Sequence, residues 1–253
     1  MIKRMGKRTL SFENGVSIEG FASVVGKKEG EGPLANFFDR IIEDSYNSRD
    51  TFEDAEASFV SEAAALAMKK SGRKREELDF AFAGDLLNQC VSSSFGLKEY
   101  NIPYLCQYGA CSTMAQALIA GAVFVESGAA RNALACASSH FASAQRQYRF
   151  PMEYGEVRTP TSQWTVTGAG ACVLGTAKSK PKLTAATVGK IVDLGIKDAN
   201  NMGAAMAPAV DIIEPYPIGF DGCYINNLYE RSISNRVNHN KRSSHGKIAR
   251  LDK

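Results

Sequence analysis

Apolar and polar residues alternate along this chain in blocks that predict strands and helices in turn. Short apolar runs typical of buried strands recur at residues 17–25, 78–83, 102–107, 132–137 and 166–176. Between them, residues 55–71 carry apolar side chains at helical spacing and are followed by Gly72, the usual residue after a helix end. Residues 93–100 predict a shorter helix. This alternation predicts an α/β fold built on a buried central sheet.

A further helix is predicted at residues 111–127, and it is apolar nearly all round, which indicates burial in the middle of the molecule. It opens at Cys111, directly after Tyr108-Gly109-Ala110. A thiol at a helix N-terminus faces unpaired N–H groups and the positive end of the helix dipole, which favour a thiolate or a bound anion. Three interpretations of Cys111 follow: a nucleophile, part of an anion site, or a small hydrophobic residue in a tight turn.

Composition and charge narrow the class of protein. The 253 residues, 44% of them hydrophobic, can form the core of one large domain or two modest ones. The net charge of +3 arises mostly from the last twenty-odd residues, so no nucleic-acid partner is expected. The sequence shows no membrane-spanning segment or signal peptide, which predicts a cytosolic chain. Its cysteines form no CxxC pair and indicate reduced core thiols, so no metal cofactor is expected.

Two polar residues follow the apolar run at 78–83. Asp85 and Asn88 lie in the loop that this strand is predicted to enter, where a ligand could meet them. Asn88 is a candidate hydrogen-bond donor. Asp85 could orient a donor, accept hydrogen bonds from backbone groups, or cap the turn that follows.

Two further candidate site residues, His140 and Arg149, come after the apolar run at residues 132–137. His140 follows the apolar run at 132–137, and it is either a pocket residue or a hydrogen-bonded residue at a strand end. Arg149 lies in the loop at 141–163, and long loops inside compact folds are usually functional. Its guanidinium could bind a carboxylate ligand, or pair with Glu153 or Glu156 within the loop.

Several motifs together resemble the stage V sporulation protein AD family. They are Ala83-Gly84-Asp85-Leu86, Gly109-Ala110-Cys111-Ser112-Thr113, Ala137-Ser138-Ser139-His140-Phe141, Gln147-Tyr148-Arg149-Phe150-Pro151, the run from Pro160 to Gly170, and Asn201-Met202-Gly203. That family is similar to the thiolase-fold condensing enzymes. The resemblance therefore implies a thiolase-like α/β architecture of two similar halves, with Cys111 at the nucleophile position of the first.

The resemblance also implies boundaries within the chain. Residues 1–178 would form a complete N-terminal thiolase-like half, and residues 179–213 the start of a C-terminal half. From residue 214 the likeness ends, and Pro215 and Pro217 break any helix begun before them. Residues 214–253 are interpreted as an aberrant or disordered tail, because their last part is basic and poor in apolar residues. The second half is therefore expected to be truncated.

The function implied by the resemblance is non-catalytic binding of dipicolinic acid, in its uptake into the developing spore and its release in germination. The expected partners are dipicolinic acid and other stage V sporulation membrane proteins of the same channel, with a homodimer as a further expectation. The chain would be peripheral on the cytoplasmic side of the inner membrane of the forespore or spore. The implied ligand-binding residues are listed together: Cys111, Ser112, Asp85, Asn88, His140 and Arg149. No cofactor is implied, although calcium accompanying dipicolinate would give Asp85 a further role.

Two alternative functions remain open beside this interpretation. One is an acyltransferase or condensing enzyme of the 3-oxoacyl-carrier-protein synthase III type that uses Cys111. Enzymes of that type also need a histidine and an asparagine or second histidine from the second half. The remaining histidines of this chain, His239 and His245, lie in the tail. The other alternative is a structural subunit of the same assembly without a working pocket.

Overall fold

The computed structural model describes residues 1–144, 165–178 and 181–189, with Gly195 and Lys197. Within these ranges the strands are β1 (Ile2–Met5), β2 (Thr9–Gly26), β3 (Arg40–Ile42), β4 (Phe80–Asp85), β5 (Tyr104–Cys106), β6 (Ala133–Ser139), β7 (Gly168–Gly175) and β8 (Lys182–Thr187). The α-helices of the same ranges are α1 (Lys27–Gly30), α2 (Phe52–Ser71), α3 (Val91–Leu97) and α4 (Thr113–Glu126).

The strands form one mixed sheet in the order β1-β2-β7-β6-β4-β5, with β3 and β8 also paired to β2. Strand β4 is parallel to both of its neighbours, β5 and β6. Strand β7 is antiparallel to β6 on one side and to β2 on the other. The carboxyl ends of β4, β5 and β6 therefore meet at one edge of the sheet.

Each face of the sheet carries its own hydrophobic core. On one face, α2 contributes Phe59, Val60 and Ala63 to a buried cluster that also holds Leu97 of α3. On the other face, α4 packs against Phe82 and Leu174, and the residues that it buries there include Leu118, Ala122 and Val125. The sheet is thus enclosed between helices, and the α/β class predicted from the sequence is confirmed.

Helix α2 shows how local sequence sets an element's bounds. Its N-cap Thr51 accepts a hydrogen bond from the Asp54 N–H at 3.1 Å. The helix ends before Gly72, whose φ of 74° places it in the left-handed region that favours glycine. The predicted helix at residues 55–71 is confirmed and begins three residues earlier than expected, because the capping threonine lies before the first apolar residues.

Helix α4 is buried on one side only. The sheet covers the stripe made by Thr113, Ala117, Leu118, Gly121, Ala122 and Val125. On the opposite side, Met114, Ile119 and Val123 are half-buried and Gln116 is exposed. The prediction of burial all round is therefore wrong for the part of the chain that the structure describes, since a single sheet face covers about half of a helix. None of the helices in that part has the length and hydropathy needed to cross a bilayer.

Strand β2 is the pairing partner of two strands that the sequence pattern did not predict. Strands β1 and β3 pair with it, in antiparallel and parallel orientation respectively. Strand β8 also pairs with β2, so the first sheet continues into the segment 179–213 that was predicted to start a second half. The division at residues 178 and 213 stays a prediction, because residues 198–253 lie outside the described ranges.

Candidate functional site

The connections around β4 and β5 create a crevice at the carboxyl edge of the sheet. After β4 the chain enters α3 on the α2 side of the sheet, whereas after β5 it enters α4 on the opposite side. In open α/β sheets, ligands bind where two neighbouring parallel strands send their connections to opposite faces. The loops at 86–90 and 107–112 flank this point. The topology thus brings the predicted residues Asp85, Asn88, Cys111 and Ser112 to one edge.

Gly84, near the end of β4, allows the two loops to approach closely. A Cβ atom on Gly84 would lie 1.8 Å from the carbonyl oxygen of Gln107 and 2.9 Å from Cγ2 of Thr113. The Gln107 N–H donates to the carbonyl of Ala83 at 2.9 Å and fixes this approach. The segment leading to Cys111 therefore lies directly against the end of β4.

Cys111 lies in a tight turn at the start of α4. Residues Ala110–Ser112 form a single 3-10 turn that runs into the helix, and Ala110 has a φ of 48°. A non-glycine residue in the left-handed region is strained, and such strain is concentrated at functional sites. The side chains of Cys111 and Ser112 are exposed. The Ser112 hydroxyl donates to the carbonyl of Gly109 at 2.8 Å.

The N-terminus of α4 lacks an acidic neighbour on its own helix. Ser112 occupies the N-cap position, but its side chain caps none of the helix N–H groups. The first turn holds no acidic residue. The N–H groups of Ser112 and Thr113 already donate to the carbonyls of Gly109 and Ala110, so it is the positive end of the helix dipole at this terminus that suits an anion. This geometry agrees with the anion-binding interpretation of the segment around Cys111.

Asp85 is committed to holding helix α3. Its side chain is fully buried, and its two oxygens accept hydrogen bonds from the N–H groups of Ser92 and Ser93, both at 2.7 Å. Burial raises the pKa of Asp85, while the hydrogen bonds from Ser93 and Ser92 act in the opposite direction. Of the roles left open by the sequence, the structure shows the acceptance of backbone hydrogen bonds and the capping of the following helix.

Glu56 is a buried carboxyl that sequence reasoning missed. It is 1% exposed on α2, and its oxygens accept hydrogen bonds from Ser138 at 2.8 Å and Ser143 at 2.5 Å. Burial raises its pKa to about 7, and the charge of Asp85 contributes to that rise. Its spacing of three residues from Phe59 places it on the apolar face of the helix, which is the signal that could have revealed it.

His140 is a structural residue in the described molecule. It is fully buried, with its Nε2 atom 2.9 Å from the carbonyl of Ser45. Its Nδ1 accepts the N–H of Ala142 at 3.2 Å, so Nε2 carries the proton and donates to Ser45. The ring packs against Phe52 and Phe141, and burial lowers its pKa. Both ring nitrogens are thus engaged within the protein, as in the strand-end interpretation of this residue.

The remaining predicted residues differ in what the structure shows of them. Asn88 is exposed in the loop after β4, on the same edge as Cys111. Arg149 lies outside the described residues. In the part that the structure describes, no three His, Cys, Asp or Glu side chains group in a way that could hold a metal ion. Burial raises the pKa of the Cys136 and Cys172 thiols, which makes them poor nucleophiles.

Comparison with known proteins gives a family match over most of the chain. The family described as stage V sporulation protein AD matches residues 6–217. The chain is 39% identical over 208 residues to the stage V sporulation protein AD of Bacillus subtilis (strain 168). That alignment covers 82% of this chain and 62% of the relative, so the chain spans less than two thirds of the relative's length.

Solved structures with a similar chain path include two 3-oxoacyl-(acyl carrier protein) synthases III. The enzyme from Xanthomonas oryzae is 15% identical with a TM-score of 0.49, over 84% of this chain and 71% of the enzyme. The enzyme from Aquifex aeolicus is 19% identical with a TM-score of 0.44, over 66% of this chain and 55% of the enzyme.

Proposed function

Because this chain belongs to the stage V sporulation protein AD family, we propose that it is a non-catalytic protein that binds dipicolinic acid. In this proposal it acts in the uptake of dipicolinate into the developing spore and in its release in germination. It works at the cytoplasmic side of the inner membrane of the forespore or spore, with other stage V sporulation membrane proteins. Family membership supports the role in sporulation, and the site supports the choice of an anionic ligand.

The observation that carries the proposal is the N-terminus of α4 at the crevice between β4 and β5, which has no acidic residue in its first turn and no side-chain cap. Dipicolinate is a flat aromatic ring with two carboxylates, and one carboxylate fits the positive end of the helix dipole at this terminus. The helix has 14 residues, so its dipole is fully developed there. The exposed Cys111 and Ser112 form the wall of the site around this carboxylate.

The other predicted residues take two kinds of role in this proposal. Asn88 supplies a donor from the neighbouring loop, and Arg149 supplies the charge-assisted hydrogen bonds that a second carboxylate needs. Asp85 acts by position, because it holds the N-terminus of α3 and with it the loop that carries Asn88. His140 supports the edge of the sheet through its hydrogen bonds to backbone groups.

Calorimetry with dipicolinate tests this site, and the chain offers a matched pair of serines on the same helix. Ser112 lies at the N-terminus of α4 and Ser127 at its C-terminus, and both are exposed. Ser112→Asp places a negative charge where the carboxylate binds, and we expect at least a tenfold loss of affinity, about 1.4 kcal/mol or more. Ser127→Asp adds the same charge at the other end and should leave the affinity within about twofold.

One further ligand and two refuting outcomes complete the test. Pyridine-2-carboxylate, which has one carboxylate, should bind more weakly than dipicolinate, because one charge-assisted contact is lost. Equal losses in Ser112→Asp and Ser127→Asp would show a general charge effect and remove α4 from the site. No binding of dipicolinate by the folded chain would overturn the proposed function itself.

An acyltransferase that uses Cys111 is the second candidate, favoured by the exposed thiol next to a strained backbone. The turn at Ala110 presents Cys111 at a helix N-terminus, where a thiolate is stabilised. Against it, both ring nitrogens of His140 are engaged by backbone groups, so neither is available as a base for Cys111. Incubation with acyl-coenzyme A and mass spectrometry would reveal an acylated Cys111 if this candidate holds.

A further inference from the structure

Two cysteines lie together beside the crevice, one buried and one exposed. Cys90 is 3% exposed at the N-cap of α3, with a φ of 50°. Its Sγ–H points to the carbonyl oxygens of Gln107 at 3.6 Å and Leu87 at 3.7 Å. The thiol of Cys90 is therefore directed at the segment that leaves β5, which is where the second cysteine, Cys106, ends the strand.

The register of the sheet places Cys106 on the same side as Cys90. Tyr104 and Cys106 are two residues apart on β5, so their side chains share one face of the sheet. The Tyr104 hydroxyl lies 2.9 Å from the Ser93 hydroxyl of α3, which identifies this face as the α3 side. Cys106 therefore lies on the α3 side of the sheet, and it is exposed.

The Cys106 side chain also influences the ionisation of Cys90. Burial raises the pKa of Cys90 to about 11, and a hydrogen bond with the Cys106 side chain adds to this rise. Cys90 is therefore mostly protonated at neutral pH and is shielded from solvent, so an oxidant in solution meets the exposed Cys106 first.

We propose that Cys90 and Cys106 are a site of oxidative modification at which a peroxide drives formation of a reversible disulfide. The Cys106 sulfur attacks one peroxide oxygen, so that an S–O bond forms, the O–O bond breaks, and water leaves after proton transfer. The Cys90 sulfur then displaces the hydroxyl group of this sulfenic acid, and its own proton leaves with that group as a second water. The two thiols lose two electrons in total, and the peroxide is reduced to two waters.

The disulfide would connect the N-terminus of α3 to the edge strand β5. The neighbouring Cys90 thiol explains why oxidation would stop at a disulfide, because a sulfenic acid next to a resolving thiol condenses with it. The three other described cysteines offer internal comparisons. Cys136 and Cys172 lie on neighbouring strands, but the register pairs Cys172 with Ala135, so the two thiols point to opposite faces of the sheet.

Peptide mapping after treatment with hydrogen peroxide tests the proposal. The intact chain is exposed to peroxide, the remaining thiols are alkylated, and the digest is analysed without reductant. We expect a cross-linked peptide that joins Cys90 to Cys106, and its loss after dithiothreitol. In Cys106→Ser the cross-link should disappear, and Cys90 should be recovered as an alkylated thiol.

Two control variants keep the result interpretable. Cys111→Ser removes the other exposed cysteine among the described residues and should leave the yield of the Cys90–Cys106 peptide unchanged. Cys172→Ser should also have no effect. A cross-link between Cys106 and Cys111, or sulfinic acid at Cys106 without any cross-link, would overturn the proposal. Because Cys106 is exposed, Cys106→Ser should fold normally even if Cys90→Ser does not.

Discussion

The buried carboxyl of Glu56 should make the stability of the folded chain depend on pH near neutrality. In the unfolded chain a glutamate titrates with a pKa of 4.5, whereas burial raises the pKa of Glu56 to about 7 in the folded state. Between these values the folded state holds a proton that the unfolded state has lost. The contribution of Glu56 to stability is therefore complete below pH 4.5 and is lost as the pH rises through 7.

The structure also gives the size of this effect. At about 1.4 kcal/mol per pH unit, the difference between the two pKa values corresponds to about 3 kcal/mol across this range. The side chain is almost fully buried, so solvent screening reduces it little. Asp85, whose pKa is also raised by burial, adds to the same trend at lower pH. His140 acts in the opposite direction, because burial lowers its pKa below that of an unfolded histidine.

Glu56→Gln isolates the contribution of this one group. The amide can accept a hydrogen bond from one of the two serines and donate to the other, so the hydrogen bonds of the site survive. Urea unfolding of both chains at pH 5, 6, 7 and 8 measures the difference in free energy of unfolding. We expect the variant to gain about 2 to 3 kcal/mol on the wild type between pH 5 and pH 8.

The control is Glu62→Gln, which removes a different carboxylate from α2. Glu62 lies nearer the surface and pairs with Arg40 at 2.8 Å. It reports the general effect of losing a carboxylate from this helix. If the free energies of the wild type and Glu56→Gln change in parallel from pH 5 to pH 8, the reasoning from burial is refuted.

Five other variants have definite expected outcomes. Gly84→Ala should lower the free energy of unfolding by about 3 kcal/mol or more, because the new Cβ would lie 1.8 Å from a backbone oxygen. Gly170→Ala on β7 is its control, because a Cβ there meets no atom within 4 Å, and it should cost less than about 1 kcal/mol. Urea titration measures both. His140→Ala should destabilise the chain by about 3 kcal/mol while the folded fraction keeps its dipicolinate affinity in calorimetry, and a selective loss of affinity would show direct contact with ligand. Arg149→Ala should weaken dipicolinate binding more than Cys111→Ala, and unchanged affinity in both would place the site elsewhere.

Helices and strands with a regular spacing of apolar residues were predictable from the sequence. Strands whose extent depends on pairing with other strands were not. Residues 55–71 and 132–137 carry their own signals, and both match observed elements closely. Strand β2 begins eight residues before the predicted strand at residues 17–25. Before that run, Gly15 has a φ of 68° at an irregularity in the pairing with β8, and this break in the regular pattern hides the start of the strand.

The residues of the candidate site also fall into those that the sequence revealed and those that it did not. The position of Cys111 at a helix start was visible, because a polar-to-apolar transition and two small residues precede it. The commitment of Asp85 to α3 was not, since it depends on where that helix lies in three dimensions. Glu56 was missed because a single carboxylate within an apolar stripe is usually read as a solvated position, and its serine partners lie more than 80 residues away in sequence.

The central place of β2 has a consequence for the order in which the chain folds during synthesis. Strand β2 leaves the ribosome early, directly after β1, yet its partners β7 and β8 end at residues 175 and 187. The β4, β5 and β6 ladder, with its crossing helices, is complete by residue 139 and involves much shorter sequence separations. The N-terminal strand must therefore wait unpaired on that side while the later ladder forms, and in that interval it is an exposed edge open to pairing with another nascent chain.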